Sequence, residues 1–543
     1  MKISIKQISA LEKVFLNDRF DSKKEYNEAS ALGGEKFSYQ IMFCEDRLER
    51  IEAKFKLTSD LNEYIQVYSV GSVPSEMPCM TDVEDDDYIT KQAGLIPDVL
   101  IPIESDNVLI TQRPRAIWID IKIPENHPKG KYKINFELCY DGVTYNSVFC
   151  LNILGANLPE QKTIYTQWLH SDCISDYFNV KVFSKKYWEI TEKYIKEAAE
   201  SGINMILVPI FTPPLDTDIG AERKTVQLVD ISLNDGIYSF DFKKFKKWIK
   251  ICKKNNIKYF EISPLFTQWG AEFTPKIIAG INNKTKKIFG WKVRADSSEY
   301  KDFLNSFIPE LIKVIDKLKI KDKTFFHISD EPNNENINGY SNAKSLLEDL
   351  LKDFTIIDAL SDYEFYKRGI VKNPVVRVDH IDTFIENNVE NLWVYTCCSP
   401  ENIYPNRFMA MPSGRNRILG VLMYKNNIKG YLHWGLNFYN PLLSKSTINP
   451  YITTDAGARY PSGDAFSLYP YKEGAIPSIR SRVFFDAMQD IRALQLLEEL
   501  IGRDETTKLI DKYNINSFSC YSRKYDDLLK LRQEVNYLIA ENI

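Results

Sequence analysis

Thr324-Phe325-Phe326-His327-Ile328-Ser329-Asp330-Glu331-Pro332 opens as a short apolar run and closes on two adjacent carboxylates and a proline. The run has the length and composition of a buried strand, and the proline cannot continue a hydrogen-bonded ladder. Acidic side chains therefore collect where a strand stops. In a (β/α)8 barrel that is the active face, because the C-terminal ends of the parallel strands and the loops after them carry the catalytic groups. Alone, the stretch also reads as the start of a helix, with Asp330 as cap and Glu331 and Pro332 in the first turn. The rest of the chain decides between the two.

After Leu154-Gly155-Ala156-Asn157-Leu158-Pro159 the pattern alternates strand, loop, helix and strand. Candidate strands are Thr163–Leu169, Asn204–Phe211, Lys258–Phe266, Thr324–Ser329, Phe354–Leu360, a weak one near Val378–Phe384, Leu392–Cys397 and Gly430–Leu436. Ser184 can cap a helix that carries Tyr187, Ile190, Tyr194, Ile195 and Ala198 on one face and stops at Gly202. Asp241 can cap another, with Phe242, Phe245, Trp248, Ile249 and Cys252 inward, and Tyr300, Phe303, Phe307, Leu311, Ile315 and Leu318 form the stripe of a third. Eight strands with helices between them are the signature of a (β/α)8 TIM-type barrel. The lysines from Lys243 to Lys258 read as the wet face of the second helix, because its other face carries the apolar stripe. A long loop rich in Pro, Gly and Tyr runs from Asn437 to Pro477, and loops of that length are usually functional. Helical patterning follows from Ser478 to about Gly502 and from Ser522 to Ile543.

From Met1 to about Pro159 the texture is β. Phe37–Phe43, Tyr64–Tyr68 and Ala116–Ile123 alternate or run apolar over strand lengths. Lys129-Gly130 and Asp141-Gly142 separate Ile119–Ile123, Tyr132–Tyr140 and Val143–Ile153, a spacing that fits antiparallel hairpins. The expected organisation is an antiparallel β-sandwich over residues 1–158, then a (β/α)8 catalytic barrel with a C-terminal helical extension over 159–543. The cluster Asp82, Glu84, Asp85, Asp86, Asp87 offers oxygen ligands to calcium, but it lacks the ligand spacing and turn glycine of an EF-hand and reads as a solvated loop.

A chain of 543 residues predicts two or three domains, and 70 Lys+Arg against 74 Asp+Glu leave a net charge of -4, which gives no field for nucleic acid or an anionic membrane. The alternating Met1-Lys2-Ile3-Ser4-Ile5-Lys6 lacks the apolar core of a signal peptide, and no segment has the length of a membrane span. Nine cysteines include one close pair, Cys397-Cys398, unlike either a disulfide framework or a metal site. The expectation is a cytoplasmic protein with reduced thiols, no metal and no cofactor.

At the predicted strand ends lie Trp168-Leu169-His170-Ser171-Asp172, Gln268-Trp269, Asp330-Glu331, Tyr395-Thr396 and His433-Trp434 followed by Asn437 and Tyr439. His327 reads as a core histidine. Aromatic faces can cover the apolar side of a sugar ring while polar groups meet its hydroxyls. Neighbouring residues in a strand point to opposite faces, so Asp330 and Glu331 cannot readily flank one anomeric carbon unless the strand end bends. The chemistry that tolerates such a pair is substrate assistance, in which the sugar's 2-acetamido oxygen attacks C1. One carboxylate then holds the acetamido N–H while the other protonates the leaving oxygen.

The chain resembles glycoside hydrolase family 123, the β-N-acetylgalactosaminidases, and bacterial proteins sharing their C-terminal region. The likeness is carried by Trp118-Ile119-Asp120-Ile121, Gly130-Lys131-Tyr132, His327–Pro332, Leu432-His433-Trp434-Gly435-Leu436-Asn437, Gly463-Asp464, Leu468-Tyr469-Pro470 and Pro477-Ser478-Ile479-Arg480, in that order over nearly the whole chain. It implies a retaining exo-glycosidase acting on a glycan or glycoconjugate with terminal β-GalNAc. Asp330 would orient the 2-acetamido group, and Glu331 would be general acid and then base. His170, Asp172, Tyr395, His433, Trp434, Asn437 and Tyr439 are the candidate sugar contacts. Arg480 reads equally as a tie between the long loop and the barrel. A conventional retaining glycosidase with Glu261 as nucleophile is the nearest rival, and a non-catalytic carbohydrate-binding barrel a more distant one. The oligomeric state stays open, a homo-oligomer included.

Overall fold

The computed structural model describes residues 2–47, 49–80, 84–268, 270–332 and 337–543. Asp82 and Trp269, both singled out above, lie outside the described residues.

The front of the chain forms two five-stranded sheets. One runs Ile3–Ser9, Lys36–Glu45, Arg115–Lys122, Ile65–Ser75, Gly94–Pro102 in spatial order, and the other Glu28–Gly33, Val143–Asn157, Gly130–Tyr140, Arg50–Thr58, Asn107–Thr111. Alternate residues meet between them: Tyr39, Ile41, Ile117, Ile119 and Ile121 from one sheet, Ile134, Phe136, Leu138, Phe149, Leu151 and Ile153 from the other. Tyr39 stacks on Phe149 at 4.2 Å between centroids. Burying each such side chain is worth roughly 1.5–3 kcal/mol, so this two-residue period holds the sheets together.

Two expectations need correction here. Tyr140 and Val143 do close a hairpin over Asp141-Gly142, both at positive φ (49° and 75°) as its turn requires. Lys129-Gly130 does not, because the strands on either side of it belong to different sheets. The sandwich is also not wholly antiparallel, since Val143–Asn157 pairs in parallel with Glu28–Gly33.

The outer face of the first sheet is not wet. Trp118, Tyr68 and Leu100 pack on Ile479 and Val483 of the helix Ile479–Ile501. Asp120 accepts bonds from Trp118 Nε1 at 2.6 Å and Arg482 Nε at 3.0 Å, and Asp98 takes both prongs of Arg480, Nε at 2.8 Å and Nη2 at 2.9 Å. Arg480 Nη1 also donates to Gly463 O, so this residue ties the long loop not only to the barrel but to the front sheet. A Cβ on Gly463, whose φ is 93°, would sit 2.8 Å from the Arg480 guanidinium carbon. The acidic cluster departs only in part from its reading as a solvated loop, since Glu84 and Asp86 are exposed and its other two described acids are not. Asp85 is buried against the Arg415 guanidinium at 2.5 Å, and Asp87 pairs with Arg523 at 3.2 Å.

Eight parallel strands then close into a barrel: Ile164–Gln167, Met205–Val208, Tyr259–Ile262, Thr324–Phe326, Thr355–Ala359, Asn373–Arg377, Trp393–Tyr395 and Gly430–His433. A helix follows each strand. Seven fall within the expected runs. The sixth is Asn373–Arg377, and the stretch expected there holds the helix Ile381–Glu386 instead. Pro374 sits in that strand between Asn373 and the pair Val375-Val376, and with Arg377 closing it the proline leaves an apolar run too short to read as a strand. The helices Lys185–Glu200, Lys243–Lys254 and Ser298–Lys317 bury the predicted stripes, and Ser184 Oγ accepts the Tyr187 N–H as cap. A four-stranded sheet of two hairpins, Asp230–Asn234 with Ile237–Asp241 and Ile277–Ile281 with Lys284–Phe289, is inserted among these elements and was not expected from the sequence, nor was the helix Arg503–Lys512. No helix among the described residues is long and apolar enough to cross a membrane.

Candidate active site

The fourth barrel strand ends at Phe326, so Asp330 and Glu331 stand on the loop beyond it rather than in it. Glu331 takes a φ of 45°, in the left-handed region that L residues seldom adopt, and its N–H is held by Ala359 O at 3.1 Å. Ser329 Oγ donates to Thr267 O at 2.8 Å just before the turn. This kink defeats the alternation of a strand. Asp330 and Glu331 consequently wall the same cavity, together with Trp168, Tyr395, Trp434 and Tyr460.

Most of the remaining wall comes from other strand ends and the loops after them. Trp168 follows the first strand, Asp216 the second, Gln268 the third, Tyr395 closes the seventh and Trp434 follows the eighth. Tyr395 Oη donates to Glu331 Oε1 at 2.9 Å. Trp434 Nε1 donates to Asp464 Oδ2 at 3.0 Å, and its ring lies 5.4 Å from that of Tyr460, edge to face. Tyr460 Oη donates to Asp216 Oδ1 at 3.1 Å, so the long loop supplies one wall and props another.

Beneath the pair lies a buried charge cluster. His327 Nε2 donates to Glu261 Oε1 at 2.5 Å and its Nδ1 faces Asp358 Oδ1 at 3.4 Å. Glu261 further accepts from Thr166 Oγ1 and Trp168 Nε1, each at 2.6 Å, and Asp358 from Ile328 N at 2.9 Å and the Tyr340 hydroxyl. Burial alone would lower the His327 imidazole, but its hydrogen bonds to Asp358 and Glu261 outweigh that and push it up to about 10. Burial and then the Glu331 carboxylate push the Asp330 carboxyl well above the usual range, while the His327 cation pulls the other way. Burial likewise raises Asp464 to about 7 against the pull of Arg407.

Of the residues the sequence nominated, Asp330, Glu331, Tyr395 and Trp434 share the cavity. The other five stand behind its wall. Asp172 is buried in a two-pronged pair with Arg223, 2.7 Å from both Nε and Nη2, and His170 Nδ1 accepts from the same Nη2 at 3.0 Å. The Asn437 side chain bridges the His170 backbone, accepting its N–H at 2.8 Å and donating to its carbonyl at 3.1 Å. His433 Nδ1 accepts from Arg407 Nη2 at 2.8 Å and from Gly435 N at 3.0 Å, and Tyr439 Oη donates to Leu468 O at 2.9 Å. Sequence reasoning missed Asp216, Tyr460 and Asp464 as parts of the site. The signals for two of them were Gly463-Asp464 in the family-like tail and the long Tyr-rich loop that carries both Tyr460 and Asp464. Among the described residues no cluster of His, Cys, Asp and Glu is arranged to hold a metal ion.

The catalytic-domain profile of glycoside hydrolase 123 matches residues 168–497. The fold is similar to that of a family 123 glycoside hydrolase from Clostridium perfringens, described for glycolipid glycan hydrolysis, with a TM-score of 0.74 and 17% identity over 99% of this chain and 98% of that one. Apo β-glucuronidase 3 of Bacteroides uniformis (TM-score 0.30, 11% identity, 89% of this chain and 51% of that one) and an endo-β-1,4-mannanase from Thermotoga petrophila (0.31, 11%, 62% and 77%) are far more distant. No curated protein sequence matches the chain.

Proposed function

The chain belongs to glycoside hydrolase family 123, and from that premise we propose that it is a retaining exo-glycosidase removing terminal β-linked N-acetylgalactosamine with the help of the sugar's own 2-acetamido group. The observation that carries this reading is the shared cavity of Asp330 and Glu331 among aromatic rings. The acetamido oxygen attacks C1 as Glu331 protonates the departing oxygen. Asp330 accepts the acetamido N–H and balances the positive oxazolinium, and Glu331 then takes a proton from the water that opens it.

Burial and then the charge of its neighbour Glu331 raise the Asp330 carboxyl, so it can keep a proton that an isolated carboxyl would have lost. With the site empty, burial favours that proton on Asp330. An acetamido N–H donating to Asp330 favours its ionised form, which leaves the proton to Glu331, where the reaction needs it. Substrates without the amide do not make this exchange. Trp168 and Trp434 offer apolar ring surface to the sugar, and Asp216 and Gln268 offer polar atoms to its hydroxyls. The rival nucleophile Glu261 is fully buried, accepts three hydrogen bonds and does not line the cavity. The free cysteines fit a reducing cytoplasm.

The test is a panel of 4-nitrophenyl glycosides with a thiazoline inhibitor. The β-GalNAc compound is expected to turn over with retention and to be blocked by the thiazoline. A β-galactoside cleaved at the same rate would refute substrate assistance.

A further inference from the structure

We propose that Cys397 and Cys398 are a dithiol modification site in the wall of the sugar cavity, which a peroxide converts into a cross-link between the neighbouring sulfurs and so switches hydrolysis off. Of the nine cysteines, these two line the cavity, beside Trp168, Glu331, Trp434 and Tyr460. Both are free thiols and partly exposed. The effect on hydrolysis rests on the reading of this cavity as the GalNAc site; the chemistry of the thiols does not.

The two thiols are hydrogen-bonded to each other, and the Cys397 thiol also donates to Ser399 O at 3.4 Å. The bond to Cys398, and then burial, hold the Cys397 thiol well above its ordinary range, so Cys398 is the first to react. Its sulfur attacks one peroxide oxygen, the O–O bond breaks, and water leaves with the thiol's proton. Cys397 then attacks the resulting sulfenic sulfur, the S–O bond breaks, and a second water carries off the Cys397 proton. Two electrons pass from the sulfurs to the peroxide, and the products are one disulfide and two waters.

The link encloses the peptide between the two residues, whose carbonyl, Cys397 O, accepts from Asn406 Nδ2 at 2.9 Å. Neighbouring Cα atoms stand about 3.8 Å apart, against roughly 4.4–6.8 Å across an ordinary disulfide, so closing the link must turn that peptide and strain the bond. Tyr395, which holds Glu331, is two residues away, and the sulfurs themselves bound the space the sugar fills. Strain also makes such a link easy to reduce, which fits a reversible modification rather than a structural bridge.

The experiment treats reduced enzyme with hydrogen peroxide, follows hydrolysis of nitrophenyl β-GalNAc, and reads the mass of the peptide that carries both cysteines. Wild type is expected to lose about tenfold or more of its rate, its peptide to lose two hydrogens, and dithiothreitol to restore both. Cys398→Ser and Cys397→Ser, each measured against its own untreated rate, should resist the treatment, and either one serves if the other folds poorly. A peptide that keeps its mass or only gains oxygen, a rate lost equally by the variants, or a cross-linked wild type of unchanged rate overturns the proposal. Untreated wild type that fails to cleave nitrophenyl β-GalNAc overturns the GalNAc reading instead, and the peptide mass still decides the dithiol.

Discussion

Tyr395 Oη reaches Glu331 Oε1 across 2.9 Å in the wall of the cavity, so one phenol fixes the carboxyl assigned as the acid. Tyr395→Phe removes that bond and leaves the ring. The expected result is a fall in kcat of about tenfold with folding intact, consistent with the roughly 1.5–3 kcal/mol of a hydrogen bond to a charged group. Unchanged kcat on nitrophenyl β-GalNAc would show that the phenol does not position the acid.

Glu331→Gln is expected to lower hydrolysis by about 10³-fold or more and Asp330→Asn by about 10²-fold or more, the scale of a lost acid–base or charge-stabilising group. Wild-type rates from Glu331→Gln would remove the central assignment.

His327 sets a pH dependence of stability. Its folded pKa of about 10 is above the unfolded value of about 6.5, so its contribution is complete below about pH 6.5 and is lost as pH rises toward 10. The melting temperature of wild type should therefore exceed that of His327→Gln by more at pH 6 than at pH 10. A gap that is constant across that range would mean the imidazole is neutral in the fold. At pH 6 the variant should lose about 3–5 kcal/mol, the cost of stranding a buried charge.

Asp464 holds Trp434 by a single 3.0 Å bond from the indole N–H. Asp464→Ala frees that ring, and KM for nitrophenyl β-GalNAc is expected to rise several-fold with a smaller effect on kcat. Steady-state kinetics that show a loss in kcat alone would place Asp464 in the chemistry rather than in holding the wall.

Much of the barrel is legible in the sequence because parallel strands buried on both faces read as apolar runs, and Thr324-Phe325-Phe326 is one of them. Pro374 hid the sixth strand, and the crossing after Lys129-Gly130 imitated a hairpin because a turn residue does not reveal which sheet the next strand joins. Asp330, Glu331, Tyr395 and Trp434 were legible as residues at or just beyond strand ends. That position does not separate a side chain facing the cavity from one bracing the wall, which is why His170, Asp172, His433, Asn437 and Tyr439 were nominated with them. Asp216 and Tyr460 come from loops without a period, and only tertiary packing brings them together.

The bonds from Arg480 to Asp98 and to Gly463 O bear on how far the enzyme could be trimmed. Gly463 adjoins the residue that holds Trp434, so a protein cut back to its barrel would strand the arginine and loosen the surface on which the sugar rests. The front sheets are in effect part of the catalytic apparatus, and a shortened version would be a damaged enzyme rather than a minimal one.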